Sequence, residues 1–311
     1  MLCRRYGMKR IYLICNLVSG KASVGSHLAK IIDIFTQAGF EVTVHPTGSR
    51  GDATETAKYA CESNFDILVC CGGDGTLNEV ISGCMEAENA IPLGYIPTGS
   101  TNDFARSLNI PINLEEAAEL IVSGSAQSCD IGMIGNRYFT YIAAFGAFTE
   151  VSYQTAQPVK NVLGHTAYIL NGMLSLHKVK ASKMRIEYDG RVIEDEFIYG
   201  MVTNSTSVAK LLSMPDMEKD DGLFEVTLIR KPKNLIDLQH IITGLSNFQL
   251  GTEREYFDHF RASEISITCL EDEPVPWTVD GEYGGNKAVN VIKNLRRALE
   301  FILPEQDKGE K

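Results

Sequence analysis

Cys70-Cys71-Gly72-Gly73-Asp74-Gly75-Thr76-Leu77-Asn78-Glu79 is the stretch from which the first half of this chain is read. An apolar run from Asp66 to Cys71 stops at three glycines set around one aspartate, and a helical pattern (Leu77, Val80, Ile81, Cys84) follows at once. Strand, glycine turn and helix start, in that order, make a phosphate seat. Glycine has no Cβ, so the backbone can approach a bulky anion and take φ > 0. The helix start then aims N–H groups and the positive end of its dipole at that anion. Asp74 adds a requirement, because a carboxylate facing phosphates needs a cation between them, and Mg²⁺ is the usual one. A glycine-rich turn with a purely structural role is the alternative. Two better-known phosphate loops do not fit. A Walker A loop ending at Gly20-Lys21 would need glycine at position 15, which is Cys15, and Asn78 stands where a dinucleotide fingerprint needs its third glycine.

Outward from this turn the first half alternates. Strands are predicted over Arg10–Cys15, Glu41–His45, Asp66–Cys71 and Pro92–Ile96. Helices are predicted over Val24–Ala38, Asp52–Ser63, Gly75–Ala87, Asn102–Leu108 and Leu114–Val122. This rhythm predicts an α/β fold, a doubly wound parallel sheet with helices on both faces. Ligands of such sheets bind beyond the carboxyl ends of the strands, where the glycine turn, Asn16–Gly20 and Pro97–Asn102 would converge. Near Asp130 the pattern changes to strands: Ile131–Ile134, Tyr138–Ala143, Lys183–Tyr188, Arg191–Thr203, Leu223–Ile229, Glu264–Cys269 and Ala288–Ile292, with helical patches at Gly164–His177 and Lys233–Leu245. Alternation such as Phe224-Glu225-Val226-Thr227-Leu228 suits a half-buried antiparallel sheet. The expected domains are therefore residues 8–129, α/β, and residues 130–304, an antiparallel β-sandwich. The run Ala298–Leu303 is expected to return to the first domain.

Other segments carry weaker signals. Thr98-Gly99-Ser100-Thr101-Asn102-Asp103 puts small hydroxylated residues on a turn that could hold a nucleotide, with Asn102 or Asp103 as helix N-cap. Asn16-Leu17-Val18-Ser19-Gly20-Lys21 is either a turn embracing nucleotide, with Lys21 against phosphate, or an ordinary βα turn. His45-Pro46-Thr47 is a weaker signal, with Thr47 a candidate nucleotide contact and His45 a strand residue. The carboxylates and a carbonyl of Glu218-Lys219-Asp220-Asp221-Gly222-Leu223 could hold a hard cation through oxygen, or the segment could be a solvated Asp-Gly turn. Asp280-Gly281-Glu282 reads as a turn with an exposed glutamate, a base only if it faces the phosphate site.

The totals set limits. With 311 residues, 44% of them hydrophobic and 22% charged, the chain is a folded, core-forming protein of about two domains. A net charge of −11 argues against a nucleic-acid footprint. The eight scattered cysteines contain no C-x-x-C pair and read as buried thiols of a reducing cytoplasm. No apolar run of about 20 residues is present. Met8 is an alternative start, since the first strand begins just after it.

Together Gly72–Glu79, Thr98–Arg106, Asp130-Ile131-Gly132, Asp221-Gly222 and Asp280-Gly281-Glu282 resemble the diacylglycerol-kinase catalytic family, which includes bacterial lipid kinases and sphingosine kinases. The resemblance runs from Ile11 to Leu303. It implies an ATP- and Mg²⁺-dependent kinase acting on a lipid hydroxyl, with the site in the cleft between an α/β nucleotide domain and a β-sandwich. It also implies nucleotide contacts at Asn16–Gly20, Thr47, Gly73–Glu79 and Ser100. The acids Asp74, Asp103 and Asp130 would position Mg²⁺, Glu218, Asp221 and the Leu223 carbonyl would form a structural metal site, and Glu282 would be the general base. Leu17 departs from the family's usual proline. The expected acceptor is diacylglycerol. The alternatives are a sphingoid base, phosphatidylglycerol, an isoprenoid alcohol, or NAD in an NAD-kinase reading that the Thr98–Arg106 segment disfavours. A cytoplasmic enzyme docking reversibly on the membrane would use a basic patch at Lys178, Lys180, Lys183 and Arg185, and an exposed edge strand would permit a homodimer.

Overall fold

The structure, a computed structural model, describes residues 8–18, 24–146, 180–204, 219–246 and 255–305. The chain divides into two compact units. One runs to Cys129 and takes back the chain from Arg297; the other is Asp130–Arg296.

In the first unit, β1 (Arg10–Cys15), β2 (Glu41–Pro46), β3 (Ile67–Gly72) and β4 (Leu93–Pro97) pair in parallel in the order β4-β3-β1-β2. Beyond β4 lies the C-terminal part of β15 (Val289–Leu303), where Phe301 pairs with Leu93. β1, β3 and β4 are runs of apolar residues because both faces are covered, whereas β2, last in the order, alternates and is half-buried. On one face Ile11, Leu13, Val69, Cys71 and Ile96 pack against α1 (Val24–Gln37) and α5 (Leu114–Ser123) through Val24, Ile31, Phe35, Leu114 and Ile121. The opposite face carries α2 (Asp52–Cys61) and α3 (Asp74–Glu86). Each large aliphatic or aromatic side chain buried in these layers contributes roughly 1.5–3 kcal/mol. The seven described cysteines are all buried thiols.

Helices α2 and α3 approach closely at Gly83. A Cβ there would lie 2.2 Å from the Thr54 carbonyl oxygen and 2.9 Å from Ala57 Cβ. Gly83→Ala is expected to cost about 1–3 kcal/mol through overpacking, read as a lowered melting temperature of roughly 2–4 °C per kcal/mol.

The second unit is antiparallel. One layer joins β8 (Ser182–Tyr188), β12 (Glu264–Cys269) and the N-terminal part of β15; the other joins β14 (Glu282–Gly285), β13 (Trp277–Val279), β7 (Ile142–Gly146), β10 (Phe224–Arg230) and β11 (Phe257–Ala262). The long β9 (Arg191–Thr203) belongs to both, pairing with β8 along its first half and with β7 and β10 along its second. Between the layers lie Phe139, Phe145, Met184, Ile186, Phe224, Leu228, Ile265, Ile267, Trp277 and Ile292. The remaining described elements are β5 (Ser125–Ile134), β6 (Arg137–Phe139), the short α4 (Asp103–Ser107) and α6 (Leu235–Ser246). The helix expected over residues 164–177 lies outside the described residues. No described helix is long and apolar enough to cross a membrane.

Candidate active site

The ladders of the first unit run on past the strand ends and bring four loops together. Asn16 N–H donates to the Cys71 carbonyl (2.9 Å), Thr47 N–H to that of Cys15 (3.0 Å) and Thr98 N–H to that of Gly72 (2.9 Å). Asn16, Thr47, Gly73 and Thr98 therefore stand side by side at the carboxyl edge of the sheet, as their places after successive strands predict.

The glycines are required here by close approach. None of Gly72, Gly73 and Gly75 has a positive φ; Gly73, the N-cap of α3, is extended at φ −84°. The expectation of left-handed backbone is corrected accordingly. A Cβ on Gly72 would sit 2.6 Å from Thr76 Cβ, and a Cβ on Gly99 would sit 2.9 Å from Gly73 Cα. The two turns thus pack backbone on backbone, and side chains tie them. Thr101 Oγ1 donates to Asp74 Oδ2 (3.2 Å), Asn102 Nδ2 donates to the Gly99 carbonyl (2.9 Å), and Asn16 Nδ2 donates to Thr76 Oγ1 (3.0 Å). Asn102 occupies the N-cap position of α4 with φ 50°, yet its side chain makes no cap bond because it serves Gly99 instead. Asp103 opens α4.

The expected nucleotide contacts differ in their surroundings. Leu77 is 1% exposed and belongs to the core. Asn78 and Glu79 lie in the helix, where their carbonyls accept from Ser82 and Thr54. The Val18 amide donates to Asn16 Oδ1 (3.1 Å). Asn16 thereby closes the turn without the proline that Leu17 replaces. Ser100 stands exposed on its turn. Ser19, Gly20 and Lys21 lie outside the described residues.

Below Thr47, Asp52 braces its loop. Asp52 Oδ2 accepts from Gly48 N–H (2.6 Å), and Oδ1 lies 3.1 Å from His45 Nε2 and 3.3 Å from the Thr56 hydroxyl. The Gly48 bond, followed by the bonds from His45 and Thr56, holds the Asp52 carboxyl below the usual aspartate value against the opposing pull of desolvation. A depressed folded-state value stabilises the fold above the unfolded value, near pH 4, and that stabilisation is lost as pH falls through the lower folded value. Asp52→Asn is therefore expected to lower the melting temperature at pH 7, with the gap to wild type closing as melts are taken from pH 4 towards pH 3.

In the second unit the acids are engaged structurally. Asp130, 3% exposed, accepts from Gly222 N–H (2.7 Å), while its own N–H donates to the Lys219 carbonyl (2.8 Å). It fixes the turn in which Gly222 takes φ +84°. Asp221 Oδ1 accepts from Leu223 N–H (2.9 Å), and its Oδ2 is paired with the Arg261 guanidinium. Arg261 also binds Glu225 through Nε (2.8 Å). A guanidinium thus occupies one side of the carboxylate expected to hold a structural cation; Glu218 lies outside the described residues. Among the described residues no three His, Cys, Asp or Glu side chains converge as a metal cage. The carboxylates at the strand ends of the first unit are Asp74, opening α3, and Asp103, opening α4; one or two carboxylates would suit Mg²⁺ bound together with a nucleotide, since Mg²⁺ fills the rest of its shell with water and substrate phosphates.

Glu282 follows a tight hairpin. Asp280 (φ 46°) and Gly281 (φ 82°) form the two-residue left-handed turn between β13 and β14. The Asp280 carboxylate accepts from the N–H groups of Thr140 (2.9 Å), Tyr141 (3.0 Å) and Ile142 (3.0 Å). Glu282 projects with its side chain 54% exposed, 3.8 Å from Arg137 Nη2, and Arg137 also donates to the Tyr283 carbonyl. Asp280 and Arg137 are the anchors that sequence reasoning missed: an Asp-Gly turn announces itself, but its tether 140 residues upstream does not.

Of the expected basic patch, Lys180 is exposed. Lys183 pairs with Glu194 (3.1 Å) and Arg185 with Glu187 (3.0 Å), so both cations are balanced locally. Lys178 lies outside the described residues.

The chain joins a parallel α/β unit, with a glycine turn at its strand ends, to an antiparallel sandwich. The family model for the diacylglycerol kinase catalytic domain matches residues 10–134, and that for the YegS C-terminal NAD kinase beta sandwich-like domain matches residues 144–303. A diacylglycerol kinase of Staphylococcus aureus (strain bovine RF122 / ET3-1) is 38% identical over 299 residues, 95% of this chain and 93% of that one. One from Staphylococcus saprophyticus is 38% identical over 305 residues, 97% and 98% of the two chains. A crystal structure of a diacylglycerol kinase from Bacillus anthracis str. Sterne superposes with a TM-score of 0.71 at 23% identity, covering 95% of this chain and 97% of that one, a likeness of fold. The chain belongs to the diacylglycerol kinase family, and it is a lipid kinase.

Proposed function

We propose that this kinase transfers the γ-phosphoryl group of ATP to the hydroxyl of diacylglycerol, giving phosphatidic acid, with Mg²⁺ as its cation. The observation that carries the nucleotide half is the backbone contact between Gly73 and Gly99, which stacks two loops at the strand ends with the start of α3 behind one of them. The first-turn amides of α3 bind phosphate oxygens. Asn16 and Thr47 flank the nucleotide, and Thr76 and Ser100 offer hydroxyls. Asp74, oriented by Thr101, and Asp103 are the carboxylates that would hold Mg²⁺ through water. Bound there, the ion supplies neutralisation of the charge that builds on the transferring phosphoryl group. Glu282 orients the lipid hydroxyl and takes its proton. An alcohol is a far weaker acid than a glutamic acid side chain, so the proton moves late, and positioning carries more of the rate than proton transfer.

The names of the staphylococcal relatives favour diacylglycerol over sphingoid base, phosphatidylglycerol or isoprenoid alcohol. Apolar Tyr141, Ile142, Ala144, Tyr199 and Met201 form a second small cluster of the sandwich, separate from its main core; its half-buried members Tyr141, Ile142 and Tyr199 are the side chains assigned to the acyl chains. The test is incubation of purified protein with labelled ATP, Mg²⁺ and a total lipid extract, with the product identified by mass spectrometry. Labelled phosphatidic acid is the expected product. Label in another lipid moves the assignment to that acceptor, and conversion of NAD to NADP with no labelled lipid overturns the reading.

A further inference from the structure

Tyr95 lies in the middle of β4, paired with Cys70 of β3, two residues before the Pro97 that ends the strand. Strand alternation turns it away from the α1–α5 core and towards the face that carries α2 and α3. Its ring lies 6.2 Å from that of Phe104, the residue after Asp103. The side chain is 1% exposed, and its hydroxyl has no hydrogen-bond partner among the described residues. Asn102 Oδ1, under the Gly99 turn, is likewise buried without a partner. Buried hydroxyls are nearly always bonded, and one left without a partner destabilises the fold relative to phenylalanine. Burial pushes the phenol well above its ordinary range; the Asp74 carboxylate adds to this, with Cys70, Cys71 and the Asp103 carboxylate behind it. Asp103 immediately precedes Phe104, and Asp74 opens α3, one of the helices covering this face of the sheet.

We propose that Tyr95 is a positioning residue of this seat, its hydroxyl donating to a hydration water of the divalent cation that Asp74 holds with the nucleotide. The idea rests on the nucleotide-site reading given above and adds a group outside the Gly72–Glu79 and Thr98–Arg106 segments. Tyr95→Phe deletes one oxygen and keeps the ring against Phe104, so it separates this role from packing. Melting temperatures are measured for wild type and Tyr95→Phe without ligand, then with a non-hydrolysable ATP analogue across a Mg²⁺ titration. The ligand-free variant is expected to melt at the wild-type temperature or above it. Its half-saturating Mg²⁺ is expected to rise roughly ten-fold, the size of effect that groups supporting a metal's own ligands produce. A Mg²⁺ response equal to wild type overturns the proposal while leaving the nucleotide site standing. A ligand-free melting temperature several degrees lower also overturns it, because the hydroxyl would then be serving the core. A wild-type protein with no Mg²⁺-dependent response to the analogue overturns this proposal and the nucleotide-site reading together.

Discussion

Asp74→Asn is expected to lower kcat roughly a hundred- to a thousand-fold with the fold retained, the range found when one preorganised electrostatic group is removed from a transition state. Asparagine preserves the size of the side chain and offers an oxygen to the Thr101 hydroxyl, now 3.2 Å from Asp74 Oδ2. What it removes is the negative charge. That charge also sits in the first turn of α3, where an acid is worth about 0.3–1 kcal/mol against the helix dipole. The stability change is therefore small beside the kinetic one, and the two are separable: circular dichroism melts report the first, and turnover at saturating nucleotide and Mg²⁺ reports the second. Turnover at the wild-type level in Asp74→Asn would remove Asp74 from the mechanism.

The first unit was legible because its signals are local. Strand ends, glycine turns and helix starts lie within a few residues of one another, so β1 falls on Arg10–Cys15 as expected and the other three strands fall within a residue of their expected positions. The reason for the glycines was not legible. A sequence shows that Gly73 and Gly99 lack side chains, but only the packed turns show that each needs the space the other leaves. The sandwich was harder to read because its pairings are long-range. Tyr138–Ala143 reads as one strand; it divides into β6 and β7 where Asp280 draws in the backbone N–H groups of Thr140, Tyr141 and Ile142. The edge strand β11, Phe257-Asp258-His259-Phe260-Arg261-Ala262, went unread because its polar residues answer β10: His259 and Arg261 meet the buried Glu225. Residues 288–292 and 298–303, expected as separate runs, belong to a single strand, β15, in which Arg297 takes φ 52° where the chain passes from one compact unit to the other.

Glu282→Gln is expected to lower kcat about a hundred-fold, the lower end of the range for general-base assistance, with KM for ATP unchanged. Glutamine keeps the size of the side chain and removes its ability to take a proton. The hairpin that presents Glu282 supplies the control. Asp280→Ala deletes the acceptor of three backbone N–H groups. Unpaired donors in a partly buried corner cost about 1–3 kcal/mol each, so this variant is expected to melt well below wild type and to lose kcat as Glu282 is displaced. If Asp280 acts on the reaction only by holding that glutamate, its kinetic effect has nothing left to act on once the carboxylate at position 282 is gone. The double variant Asp280→Ala/Glu282→Gln should then have the kcat of Glu282→Gln and the melting temperature of Asp280→Ala, a complete failure of kinetic additivity beside additive stability. Independent, multiplying losses in kcat would place Asp280 in direct contact with the reacting groups. A wild-type kcat for Glu282→Gln would mean that the lipid hydroxyl loses its proton elsewhere.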